Sequence, residues 1–161
     1  MTRLLARVLL VWLIIGWVVV TRRHVGVWQN EVALWTNATV WAPAKPRPAI
    51  NLGAAWDRVG DHGQAWAAYQ LAEALVSQPG RTLADTVTAS VLVEGNLARL
   101  DLIAGHAASA QVRLAPIVDI WPPLLGPQYT YALALAMQGE CRAAAPHMAK
   151  VPQFSFARWC P

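Results

Sequence analysis

A glycine followed five residues later by an alanine recurs three times in the sequence. The pairs are Gly60–Ala65, Gly105–Ala110 and Gly139–Ala144, at intervals of 45 and then 34 residues. Glycine lets the chain reverse sharply after a helix, and a small alanine lets the next helix pack closely against the first. Because self-similarity at a period of about 20 to 50 residues is typical of solenoids, the recurrence predicts a series of helical hairpins.

The residues around these turns have helical spacing. Apolar side chains recur at positions 52, 56 and 59 and again at 65, 69 and 72, and Gly and Pro divide the region into short segments. We therefore expect an all-α fold of short antiparallel helices. A longer helix at about residues 83–103 would absorb the extra residues of the 45-residue interval.

The first unit resembles the tetratricopeptide repeat, whose period is 34 residues. Its matching residues are Leu52, Gly53, Trp56, Gly60, Ala65, Tyr69 and Ala72. The second unit matches at Leu97, Ala98, Gly105, Ala110 and Leu114, and the third at Tyr131, Ala132, Leu135, Gly139, Ala144 and Met148. The resemblance implies an α-α helical-hairpin solenoid of two to three repeats over residues 46–161.

An uncharged apolar run occupies residues 8–21. A membrane span needs roughly 17–25 residues, a length that the run reaches only by extending back to residue 4, with the charge of Arg7 at the membrane boundary. A cleaved signal peptide is the alternative, but no small-residue cleavage site follows the run. We therefore expect a single transmembrane helix as an anchor over residues 1–24.

Tryptophans are concentrated near this run. Their rings favour the membrane–water interface, where we expect Trp12, Trp17, Trp28 and Trp35, and residues 25–45 are predicted to form a Trp-rich juxtamembrane helix or linker. Arg22-Arg23 are followed by Trp28, Glu31, Leu34-Trp35, Pro43 and then residues 46–53. In this order, residues 21–79 resemble the junction where bacterial glycosyltransferase-like membrane proteins pass from their last transmembrane helix to tetratricopeptide repeats. The resemblance implies repeats on the periplasmic side. The chain lacks the multi-span catalytic region of those proteins, so no transferase activity is implied.

The cysteine pair and the arginines bear on the compartment. Cys141 and Cys160 suit a disulfide in an oxidising compartment, although two unrelated buried thiols are the alternative. Arginines on both sides of the apolar run, at positions 3, 7, 22 and 23, leave the orientation nearly balanced. The prediction is a single-pass protein of the inner (cytoplasmic) membrane with a periplasmic C-terminal domain.

The composition predicts a covered apolar surface. Hydrophobic residues make up 56% of the chain and charged residues 14%, against roughly 45–50% and about 25% in ordinary soluble domains. We therefore expect contact with membrane lipid, through the N-terminal helix, and with protein subunits. The net charge of +4 comes from scattered Lys and Arg residues, so no nucleic-acid partner is predicted.

No catalytic residue, cofactor site or metal site is predicted, because the four histidines are isolated and no nucleophile motif is present. The tetratricopeptide resemblance implies a groove lined by the first helix of each hairpin. Its residues would be Arg47, Asn51, Ala54, Asp57, Arg58, Asn96 and Arg99. Arg and Asn can hold the carboxylate or backbone of a peptide through hydrogen bonds. Alternatively, the two asparagines only satisfy helix ends or neighbouring groups.

These expectations describe a membrane-anchored, tetratricopeptide-like scaffold and not an enzyme. It would mediate protein–protein interaction as an accessory subunit or assembly factor of a membrane protein complex. Two alternatives stay open. The chain is a detached accessory or regulatory module of a glycosyltransferase-like membrane enzyme system, or it is a secreted repeat protein after signal cleavage.

Overall fold

The computed structural model describes residues 2–80, 82–120 and 123–161, with the side chains of this set apart from residues 2–5, 23, 24 and 27. All regular structure in this part of the chain is helical, which confirms the all-α class. The helices are α1 (Thr2–Trp28), α2 (Glu31–Trp41), α3 (Pro46–Arg58), α4 (His62–Val76), α5 (Leu83–Ile103), α6 (Ala107–Ile120), α7 (Leu125–Met137) and α8 (Cys141–Met148). Of the arginines that flank the apolar run, the side chains at positions 3 and 23 lie outside the described residues.

The same turn ends α3, α5 and α7. Gly60, Gly105 and Gly139 each follow the last residues of a helix, with φ of +83°, +83° and +79°. In the first turn the amide of Gly60 donates to the carbonyl of Asp57 at 3.0 Å, and the next amide, of Asp61, donates to the carbonyl of Trp56 at 3.0 Å. The other two turns repeat both bonds. This is the Schellman arrangement, which needs the left-handed backbone conformation that glycine adopts without strain.

Helix starts are fixed by side chains in two of the hairpins. The carboxylate of Asp61 accepts from the amide of Gln64 at 3.0 Å and caps α4. The hydroxyl of Thr82 accepts from the amide of Asp85 at 3.2 Å and caps α5. Such caps satisfy amides that the first helical turn leaves unpaired.

The helices pack in sequence order. Each helix contacts the next one along the chain, and α5 also contacts α3 and α7. The alanines after the three turns, at positions 65, 110 and 144, are all 0% exposed. Short connections make neighbouring helices antiparallel, so α3–α4, α5–α6 and α7–α8 form three stacked hairpins.

The second hairpin has a longer first helix. α5 has 21 residues, whereas α3 and α7 have 13 each. Its bounds, Leu83–Ile103, confirm the predicted long helix. The additional residues are at its N-terminal end, so α5 extends beyond the length that a regular hairpin would cover.

The segment after α8 folds back onto α7. Val151 and Phe156 are buried against Ala132 and Ala136, and the ring centre of Phe154 lies 4.2 Å from that of Tyr129, with the ring planes tilted by 40°. A disulfide joins Cys141, at the start of α8, to Cys160. This segment thus covers the face of the third hairpin that lies away from the second.

The predicted placement in the inner membrane is wrong. Among the residues that the structure describes, no helix is both long enough and apolar enough to cross a membrane. In α1 the stretch free of charged residues covers residues 8–21, or about 21 Å at about 1.5 Å per residue, and Arg7 interrupts any extension. The hydrocarbon core of a bilayer is about 30 Å thick. The prediction of a single-pass inner-membrane protein with a periplasmic C-terminal domain is therefore corrected.

Candidate functional site

The residues predicted to line a groove lie on two helices that touch. In α3, Arg47, Asn51, Ala54 and Arg58 follow a spacing of three to four residues, which places them along one side of the helix. The guanidinium of Arg99 in α5 pairs with the carboxylate of Asp57 in α3. We call the surface formed by Arg47, Asn51, Asp57, Arg58, Asn96 and Arg99 the polar face.

Several groups of the polar face already have partners. Asp57 also lies 3.1 Å from Nδ1 of His62, and Arg58 forms an ion pair with Glu31 of α2. The amide nitrogen of Asn96 donates to the carbonyl of Leu92 in its own helix at 2.8 Å, so this side chain does serve a neighbouring group. The charges on α3 thus tie it to α2 and α5.

Two groups of the polar face remain available for a ligand. Arg47 is exposed and Asn51 is partly buried, and neither forms a hydrogen bond or ion pair with the described residues. A guanidinium and an amide one helical turn apart can bind a carboxylate or a peptide backbone. This pair is the part of the predicted groove that can form new polar contacts without breaking existing ones.

A buried hydroxyl lies beneath the polar face. Tyr69 of α4 is 0% exposed, and its hydroxyl has no hydrogen-bond partner among the described residues. Burial, assisted by the negative charge of Asp57, raises the pKa of Tyr69 to about 12. The ring packs against Gly53 so closely that a Cβ at that position would lie 2.6 Å from its Cε1 atom. Glycine at position 53 is therefore what lets α4 approach α3.

A charged cluster that was not predicted from the sequence surrounds Arg113 of α6, and we call it the Arg113 cluster. Its Nε donates to Asp101 at 3.1 Å, and its Nη1 donates to Glu94 at 2.9 Å and to Glu73 at 3.4 Å. The guanidinium also lies 5.5 Å from the ring centre of Trp66. Three carboxylates from α4 and α5 thus share one cation, which leaves the cluster with excess negative charge.

Burial acts on both partners in this cluster. Burial raises the pKa of the Glu94 carboxyl, and the charge and hydrogen bond of Glu73 raise it further. The hydrogen bond and charge of Arg113 act in the opposite direction but do not cancel these effects. Burial lowers the pKa of Arg113, but the hydrogen bonds and charges of Glu94 and Asp101 outweigh it, so that pKa is raised overall. In the sequence, the feature that could have indicated this cluster is Asp101, an acidic residue at a position that is apolar in the other two units. It stands at the repeat position that Trp56 fills in the first unit and Leu135 in the third.

An apolar cleft opens beside this cluster, and we call it the α5–α6 cleft. It has a volume of about 440 Å³. Its apolar walls are Val87, Val91, Val112, Pro116, Ile117 and Ile120. Thr86, Ser90, Glu94 and Arg113 complete the lining. Positions 86, 87 and 90 belong to the N-terminal part of α5, which the long helix adds relative to α3 and α7.

The tryptophans predicted to lie at a membrane interface are on α1 and α2, and they belong neither to the polar face nor to the Arg113 cluster. Trp12, Trp17 and Trp28 are exposed on α1, and Trp35 is half-buried on α2. Within the described residues, α1 contacts no helix other than α2. Without a membrane span, the interfacial role predicted for these tryptophans loses its basis. Their exposure leaves α1 with a large uncovered apolar surface.

In the described part of the chain, no group of three or more His, Cys, Asp or Glu side chains could hold a metal ion. Comparisons of the chain with protein-family models, with curated proteins and with solved structures found no match. The function therefore has to be argued from the polar face and the cleft themselves.

Proposed function

We propose that the chain is a tetratricopeptide-like scaffold that binds another protein along the polar face and has no catalytic activity of its own. In this role it is an accessory subunit or assembly factor of a larger protein complex. The observation that carries the proposal is the contact between α3 and α5 through Asp57 and Arg99. It joins a predicted groove residue of the first unit to one of the second.

The repeated turns support the same proposal. Three hairpins with the same glycine turn stack in sequence order, and α5 contacts the first helices of the hairpins on both sides. Repeats of this kind present extended surfaces on which a partner segment can lie. The exposed apolar residues of α1 further support a partner, because contiguous apolar surface of this extent usually marks an interaction site.

The partner that fits the polar face has a carboxylate or an unpaired backbone carbonyl. Arg47 and Asn51 would donate to it, and Arg99 would remain bound to Asp57 and position the edge of the surface. Charge-assisted hydrogen bonds of this kind are worth roughly 1.5 to 3 kcal/mol each when protected from water. Because Arg47 is exposed, water screens its contribution, and we expect the pair together to contribute about 1.4 kcal/mol, so that its loss weakens binding by about tenfold.

Quantitative affinity purification after cross-linking in the source cells tests the proposal. Wild type is compared with the double variant Arg47→Ala/Asn51→Ala and with Gln70→Ala, a change to an exposed side chain on α4. We expect a stoichiometric partner that wild type and Gln70→Ala retain and that the double variant loses by about tenfold. If every captured protein binds all three chains equally, the polar face is not the binding surface and the proposal fails.

A further inference from the structure

The α5–α6 cleft combines an apolar surface with excess negative charge. On α6, Ala108, Val112, Pro116 and Ile120 recur every four residues and are all exposed, with Val112 at 75% and Ile120 at 69%. These four residues span 12 positions, or about 18 Å along the helix. A shallower cavity shares Val112 and Arg113 and continues the cleft toward Ala108. The surface thus has the length of about three helical turns.

Carboxylates of the Arg113 cluster border this surface: Glu94 lines the cleft, and Glu73 reaches it through its contact with Arg113. Glu73 and Glu94 are 40% and 26% exposed, so water and ligands can reach both carboxylates, whereas Asp101 at 4% is enclosed. Among the described residues, the guanidinium of Arg113 is the one cation that pairs with all three. The uncompensated negative charge stands out in a chain whose net charge is +4.

We propose that the α5–α6 cleft binds an amphipathic helix of a partner protein whose apolar stripe is flanked by a lysine or arginine. The apolar side chains of that helix would cover Val112, Pro116 and Ile120. Its cation would lie beside Glu73 and Glu94, where it would offset their excess charge. An acidic helix of the same shape would be repelled, so the charge determines which helices can bind.

The long α5 accounts for this site. The interval of 45 residues between Gly60 and Gly105 exceeds the following interval by 11, and the longer helix that results supplies Thr86, Val87 and Ser90 to the cleft. A first helix of 13 residues, as in α3 and α7, would begin only at residue 91 and would lack this wall. Arg47 and Asn51 do not line the cleft. Experiments on the cleft and on the polar face can therefore give opposite results.

Fluorescence anisotropy with two labelled peptides and the full chain tests the inference. Both probes are 16-residue helical peptides with leucines at every third or fourth position. They differ only in carrying arginine or glutamate beside the leucine stripe. We expect the arginine probe to bind about tenfold more tightly than the glutamate probe. Glu94→Gln should reduce this ratio to about threefold, since it removes one of the two accessible charges.

Because α1 also exposes apolar surface, only binding that depends on cleft residues counts. Ile120→Ser should weaken the arginine probe by about fivefold, whereas Arg47→Ala/Asn51→Ala and Gln70→Ala should leave its affinity unchanged. Circular dichroism checks that Glu94→Gln and Ile120→Ser keep the wild-type helix content. The inference is overturned if neither probe binds, if both bind equally, or if Ile120→Ser and Glu94→Gln change nothing.

Discussion

The first and second hairpins have the same type of glycine turn but differ in the side chains that pack between their two helices. In α3–α4, Gly53 faces the large ring of Tyr69, whereas in α5–α6 the corresponding positions are Ala98 and Leu114, both 0% exposed. The first hairpin has the partly buried Trp56 at the position where the second has the buried Asp101. One pair of helices is thus joined by aromatic packing, and the other holds an ionic cluster.

The difference shows which positions of the unit are fixed and which are free. The glycine turn and the alanine that follows it are the same in both hairpins because the backbone needs them. Elsewhere only the summed volume of facing side chains is constrained, so glycine with tyrosine and alanine with leucine are equivalent solutions. The freedom at the position of Asp101 is what allowed a charged cluster and a cleft to form in the second hairpin.

The largest expected effect on stability distinguishes the Arg113 cluster from the Asp57–Arg99 ion pair. Arg113→Met should lower the free energy of unfolding by about 3 kcal/mol, because it leaves the enclosed Asp101 and two glutamates without their cation. Arg99→Met should cost at most about 1 kcal/mol, since its pair with Asp57 is more exposed. Urea unfolding at pH 7 measures both. Equal losses in the two variants would contradict the contrast between the hairpins.

The next effect concerns the packing of Gly53 against Tyr69, which can be replaced by the alanine–leucine pair of the second hairpin. Gly53→Ala should lower the free energy of unfolding by about 2 kcal/mol, because the added methyl group meets the ring of Tyr69. Adding Tyr69→Leu, which reproduces the alanine–leucine pair of the second hairpin, should recover more than half of that loss. A double-mutant cycle followed by urea unfolding gives the coupling between the two positions. Additive effects would show that the two pairs are not equivalent.

A smaller effect concerns the hydroxyl that the second hairpin does not have. Tyr69→Phe should raise the free energy of unfolding by about 1 kcal/mol, since it removes a buried polar group that has no partner. The matched control is Tyr131→Phe, at a partly buried tyrosine of α7. Thermal unfolding of the two variants distinguishes them. A loss of stability in Tyr69→Phe would mean that this hydroxyl is satisfied in solution.

The smallest effect is a pH dependence specific to the second hairpin. The pKa of Glu94 is raised above its ordinary value of 4.5, so folding favours the protonated carboxyl and Glu94 reduces stability as the pH rises through that raised pKa. Glu94→Gln should therefore gain stability relative to wild type between pH 4 and pH 7. Unfolding curves at both pH values test this. A difference between the two proteins that does not change with pH would exclude it.

The repeat pattern predicted the fold better than it predicted the sites. Gly60, Gly105 and Gly139 end helices as expected, and α5 has the predicted bounds, because turns and helix lengths depend on local sequence. The cluster around Arg113 could not be predicted in this way, since it joins side chains from α4, α5 and α6 that are 12 to 40 residues apart. Asp101 at a core position was its one local sign.

The predicted polar face and the predicted anchor fared differently. The Asp57–Arg99 pair joins two residues that the family resemblance had placed in one groove, although they are 42 residues apart in sequence. The predicted anchor was wrong because a span of sufficient length had to include Arg7. The stretch free of charged residues, 8–21, is about 21 Å long, which is shorter than the hydrocarbon core of a bilayer.

The order of helix contacts also determines which helices unfold locally most easily. Each described helix contacts only neighbours up to two places away along the chain, so no contact closes the array from one end to the other. Loss of α1 and α2 would leave the packing of α5 to α8 in place, whereas the Cys141–Cys160 link holds the opposite end shut. Amide hydrogen exchange should therefore proceed as a gradient, fastest in α1 and slowest in the hairpins beyond α4.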